Sequence, residues 1–169
     1  MQLEPWPRFS PRQLLERLVA GDVDFVVVGG IAAVAHGSAA FTGDLDISYA
    51  PDEANLDRLG RVLVDLGARL RGVTDDVPFI PDGRALRRTR VLTLETPAGS
   101  IDLIAQPDGA PVYDRLRERA DREQVAGVEV LIASLDDLIA MKRAAGRPRD
   151  LVAVEELEAI QRLRRELDS

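Results

Sequence analysis

Two aspartates two residues apart, Asp44 and Asp46 in TGDLDISYA, are the first residues whose types and spacing can do chemistry. They alternate with Leu45 and Ile47, so a period of two puts both carboxylates on one strand face and both aliphatics on the other. With Phe41 just upstream, the apolar neighbours predict a strand embedded in the core. Like charges this close repel unless a cation sits between them, whereas a solvated edge strand would simply leave both in water. A hard dication held by oxygen ligands, magnesium above all, resolves the repulsion. A third acid, Asp102, stands in SIDLIA between Ile101 and Leu103, where a carboxylate is costly unless paired or ligated. Three strand-borne acids are the usual cradle for two metal ions about 4 Å apart, which activate an attacking hydroxyl and hold a triphosphate for in-line displacement.

Other residues could serve the same reaction. Gly29 and Gly30 follow the apolar run FVVV at the start of an Ala-rich segment, so bare backbone N–H groups could approach a phosphate there. A tight turn explains the pair equally simply. Two known phosphate loops are excluded. The dinucleotide fingerprint needs glycine where Ile31 and Val34 stand, and the Gly-Lys pair of a P-loop is absent. Lys142 is the sole lysine among 22 basic residues, on the helix side of Leu135 and Leu138, where an ammonium can reach a phosphate or end in solvent. His36, the only histidine, fits a helix C-terminus favoured by the dipole as well as a base or ligand. Asp150 in RPRDL is placed to pair with Arg147 or Arg149 at the surface.

The elements that must position these groups follow from periodicity and caps. Ser10, Pro11 and Gln13 predict a helix to about Ala20 with Leu14, Leu15 and Leu18 inward. A strand at 25–28, a helix at 31–36 and a strand at 44–49 come next, then a helix over 52–67 carrying Leu56, Leu59, Leu63 and Leu66. Residues 91–95 and 101–105 read as a hairpin about TPAGS, 112–120 as a short helix, and 123–133 as two short strands about Gly127. Ser134 caps a helix that Gly146 and Pro148 break. A last helix runs to about Leu167 with Leu151, Val154, Leu157 and Ile160 inward. No linker or repeat divides the chain, which predicts one α/β domain over 1–169. Without cysteine, disulfides, thiolate catalysis and Cys-ligated zinc are excluded. No apolar run of signal-peptide or membrane-span type opens the chain, so a cytoplasmic location with no membrane contact is expected. The net charge of −7 argues against a general nucleic-acid coat, although GRALRRTR and MKRAAGRPR are local basic patches.

In order, FVVVGGIAAVAHG, TGDLDI, SIDLIA and SLDDLIAMKRAAGRPRDL resemble the nucleotidyltransferase superfamily of the DNA polymerase β type, and most closely its small AbiEii toxin-like branch. The likeness runs from about residue 14 to 158. It implies a mixed central sheet flanked by helices, with C-terminal helices, and transfer of a nucleoside monophosphate from an NTP to an acceptor. It further implies two magnesium ions, which manganese could replace, held by Asp44, Asp46 and Asp102, with Asp102 also helping to deprotonate the acceptor hydroxyl. Gly29 and Gly30 would border the triphosphate, Lys142 would face the phosphates, and Arg147 and Asp150 would shape the far wall of the cleft. The chain departs from many relatives at Gly30, where serine is common, at Ala40, where arginine is common, and at Ala153, where an acid is common.

The acceptor implied is an RNA end, a protein hydroxyl or a small molecule, and the toxin likeness implies a cognate antitoxin as partner. If the acceptor is RNA, Arg84, Arg87, Arg88 and Arg90 are the candidate contacts, a solvated loop being the plain alternative. The competing reading is a non-catalytic module that keeps the fold and binds a nucleotide or a partner.

Overall fold

The computed structural model describes residues 9–72 and 82–169. Helix α1 (Pro11–Ala20) starts where Ser10 Oγ accepts the Gln13 N–H at 3.3 Å, and it buries Leu14, Leu15 and Leu18 completely. Strand β1 (Phe25–Val28) runs straight into helix α2 (Gly29–Ala35), so the glycine pair forms the first turn of the helix instead of preceding it. Strand β2 (Asp44–Tyr49), helix α3 (Glu53–Asp65) and the short strand β3 (Arg69–Leu70) follow. Helix α4 (Gly83–Arg88) holds most of the arginine cluster read as a loop, and Asp82 caps it through the Ala85 N–H at 2.9 Å. Strands β4 (Val91–Thr96) and β5 (Gly99–Ile104) form the expected hairpin, and helix α5 (Tyr113–Arg119) comes next. Strands β6 (Asp121–Val125) and β7 (Val128–Ile132) flank Gly127. Helix α6 (Leu135–Ala145) ends at Gly146 in the left-handed region, and α7 (Pro148–Leu167) completes the chain.

The seven strands make one mixed sheet in the order β3-β4-β5-β2-β1-β7-β6. β1 pairs antiparallel with β2 and parallel with β7, and β2 pairs parallel with β5. Helix α1 lies across β2, β5 and β7 and meets α3, while α2 packs on α6 and α6 on α7. Along β2, β4 and β5 burial alternates. Leu45, Ile47, Leu92, Leu94, Ile101 and Leu103 face the core, and Asp44, Asp46, Thr93 and Asp102 face the less covered side. Each buried Leu or Ile there contributes roughly 1.5–3 kcal/mol, which locks the register and so the aim of the acids. Asn55, fully buried, bonds the backbone of Asp24 and Ala50 and pins the ends of β1 and β2 to α3.

Phe41 and Leu151 depart from their expected inward positions. Phe41 is 97% exposed, because it lies in the α2–β2 loop that the Glu156 carboxylate ties to α7 through Ser38 and the Ala39 N–H, before the chain enters the sheet. Leu151 is exposed as well, because the buried stripe of α7 runs through Asp150, Val154 and Leu157, so an acid takes the inward position of its first turn. Among the described residues no helix is long and apolar enough to cross a membrane.

Candidate active site

Register brings the acids together. Across the parallel β2–β5 pair, Asp46 lies opposite Asp102 and Asp44 opposite Ser100. Residues opposed across a ladder point to the same face, so the three carboxylates share it. Each offers an oxygen, and these oxygens lie within 4.8 Å of one another. The Oδ1 atoms of Asp46 and Asp102 are buried without a hydrogen-bond partner. Close, hard oxygen donors with unsatisfied lone pairs and surplus negative charge fit a divalent cation of the magnesium type.

Without a cation the clustered acids resist full ionisation. Burial, then the charges of Asp102 and Asp44, push the Asp46 carboxyl up to about 7, with Lys142 pulling the other way. Asp102 is raised too, first by burial and then by Asp44, against Arg71 and hydrogen bonds from Asp46 and Thr93. Both shifts disfavour the charged forms of these neighbouring carboxyls, and the two titrate together.

Gly29 is packed against this centre. Its φ is +66°, and a Cβ there would fall 2.1 Å from Asp46 Oδ2, so the residue answers both a left-handed backbone and a lack of space. A Cβ on Gly30 would come 2.8 Å from Thr42 Oγ1, so no larger residue has room here unless Thr42 moves.

On the other side of the site, Asp150 is 1% exposed, which corrects its expected surface position. Its carboxylate receives the Arg147 Nε–H at 2.6 Å and the Arg147 backbone N–H at 3.2 Å, which seals the start of α7. The hydrogen bond from Arg147 holds its carboxyl below the ordinary range. Lys142 Nζ stands 3.6 Å from Asp150 Oδ1 and also acts on Asp46, so this ammonium sits between the α7 acid and the cluster of Asp44, Asp46 and Asp102. A cleft of about 480 Å³ is lined by Gly29, Asp46, Lys142, Arg147 and Asp150 with an apolar wall that includes Leu138 and Met141.

Some candidates lie elsewhere. His36 is buried at the end of α2, its Nε2 bonded to the Ala133 carbonyl oxygen at 2.8 Å, as a structural residue would be. Of the arginine cluster only Arg90 lines the cleft, 3.6 Å from Asp108, whereas Arg87 pairs with Glu53 on α3. Thr93 and Arg71, which act on Asp102, were not picked out by sequence reading. The two-residue turn of the β4–β5 hairpin carries the signal for Thr93, because it sets Thr93 opposite Asp102.

The family model described as "Nucleotidyl transferase AbiEii toxin, Type IV TA system" matches residues 13–152. No curated protein matches the sequence significantly. Among solved structures, the lincomycin-bound lincosamide antibiotic adenylyltransferase LnuA superposes with a TM-score of 0.59 at 15% identity, over 90% of this chain and 99% of that one. ANT(2'')-Ia in complex with adenylyl-2''-tobramycin gives 0.53 at 15% identity, over 92% and 95%. An antigenic nucleotidyltransferase-like protein from Paracoccidioides brasiliensis gives 0.53 at 17%, over 89% and 73%. At these identities the likeness to the solved structures is one of fold.

Proposed function

The chain belongs to the AbiEii family of nucleotidyltransferases, and from that premise we propose that it moves a nucleoside monophosphate from an NTP to an acceptor hydroxyl with magnesium as cofactor. The observation that carries this reading is the convergence of the Asp44, Asp46 and Asp102 oxygens beside Gly29 and within reach of Lys142. Magnesium held by the three carboxylates would supply the positive charge that offsets negative charge building on the α-phosphate and the departing pyrophosphate. The chain's own groups do the rest. Gly29 and Gly30 let the triphosphate approach the backbone at the start of α2. Lys142, steadied by Asp150, faces the phosphates, and Arg147 with Asp150 closes the far wall of the cleft. Asp102 takes the proton of the acceptor hydroxyl as its oxygen attacks the α-phosphorus. The acceptor O–P bond forms as the bond to the bridging oxygen of pyrophosphate breaks, and the pyrophosphate leaves.

The acceptor is an RNA end, a protein hydroxyl or a small molecule, and the physiological setting is a cytoplasmic toxin restrained by a cognate antitoxin. Incubation with each α-labelled NTP and magnesium or manganese, in the presence of total RNA, lysate protein or small hydroxylic acceptors, tests the reading. Label should transfer to one acceptor class and vanish in Asp44→Asn and Asp46→Asn. Nucleotide binding without transfer, indifferent to both substitutions, would overturn it in favour of a non-catalytic binding module.

A further inference from the structure

The row of side chains that holds Asp46 and Asp102 continues past the acids. Asp102 lies opposite Thr93 across β5 and β4. The β3–β4 register, Arg69 opposite Glu95 and Leu70 opposite Leu94, then brings Arg71 opposite Thr93, and the Arg71 N–H bonds the Thr93 carbonyl oxygen at 3.1 Å. Two acids and a hydroxyl therefore lie in register on one face across three strands, with Arg71 continuing the row just past the end of β3. The Thr93 side chain therefore stands beside the Asp102 carboxylate, whose Oδ1 is buried without a partner, and its hydroxyl pulls the Asp102 carboxyl down against the larger effect of burial. The Arg71 guanidinium pairs with Glu95 at 3.5 Å and acts on Asp102 through its charge, so the group directly opposite Asp102 on that flank is the Thr93 hydroxyl. Strand shape alone does not call for a hydroxyl at 93, since valine offers the same β-branched fit on a pleated surface.

We propose that Thr93 is a positioning residue for Asp102: from the opposite strand its hydroxyl donates a hydrogen bond to the carboxylate and holds it in the cluster with Asp44 and Asp46. The inference rests on the metal-dependent reading above. Without that hydrogen bond the half-buried carboxylate is free to rotate out of the cradle, and loss of such an outer partner typically weakens metal affinity about 10- to 100-fold.

The test is Mn2+ binding to the nucleotide-free protein, by calorimetry, for Thr93→Val and Thr93→Ser, with melting in chelator recorded for each. Thr93→Val should weaken binding by about tenfold or more with little change in melting, and Thr93→Ser should keep it. Thr93→Ala beside Thr93→Ser repeats the comparison should the valine variant fold poorly. Binding in the valine or alanine variant as tight as in the unsubstituted protein overturns the inference, as does a serine variant as weak as they are. An unsubstituted protein that binds no Mn2+, or an Asp46→Asn variant that binds it normally, overturns the metal reading and this inference with it.

Discussion

Asp46→Asn should make the metal-free protein more stable at pH 8 while abolishing its response to magnesium. Asp46 ordinarily titrates near 3.8, and in the folded site it is pushed up to about 7 by burial and by Asp102 and Asp44. The sign follows from linkage. Between those values the folded state keeps a proton that the unfolded chain has released, so stability falls as pH rises through that window and the loss is complete above it. A shift of about 3 units corresponds to roughly 4 kcal/mol at most, and solvent reaching the half-buried carboxylate reduces that to about 2 kcal/mol. For a chain of this size that is about 4–8 °C in melting temperature. Asparagine keeps the shape and removes the charge, so the variant should lie above the unsubstituted protein at pH 8 in chelator and close to it at pH 4. Thermal melts at the two pH values, with chelator and then with magnesium, read this out. Magnesium should recover the loss in the unsubstituted protein and do nothing for the variant. A metal-free protein no less stable at pH 8 than at pH 4, or a variant equally destabilised at both, would refute the crowded, desolvated site.

Magnesium affinity should rise with pH up to about 7 and level off above it, because the Asp46 proton must leave as the ion enters; calorimetry in buffers of different ionisation heat should find about half a proton released per complex at about pH 7, approaching one at lower pH. Gly29→Ala places a methyl 2.1 Å from Asp46 Oδ2 on a left-handed backbone, so it should cost about 1–3 kcal/mol in chemical denaturation and eliminate Mn2+ binding. Asp150→Ala removes the anion that holds both Arg147 and Lys142, and it should cost about 2 kcal/mol and raise KM for the NTP more than it changes metal affinity. Asn55→Ala, remote from the cleft, should cost about 3 kcal/mol of stability yet leave Mn2+ affinity intact.

Local physics was legible in the residues themselves. The alternation of Asp44-Leu45-Asp46-Ile47, the Ser10 and Ser134 caps and the leucine spacing of α3 concern neighbours within about four positions, and every one of those elements formed. The ordered acids, glycines and lysine also identified the family, because that likeness lies in residue types and their order along the chain. What depends on distant pairing was out of reach of periodicity. The parallel β2–β5 register sets Asp46 against Asp102, the hairpin register adds Thr93, and the packing of α7 on α6 turns Asp150 inward and leaves Leu151 in solvent. Phe41 shows the limit most plainly, since its side chain follows a loop fastened by Glu156, 115 positions along the chain, and not its apolar neighbours in sequence. The chain alone determined which groups can do the chemistry. Only the assembled sheet, through contacts between residues far apart in sequence, decided which of them stand close enough to share a proton or an ion.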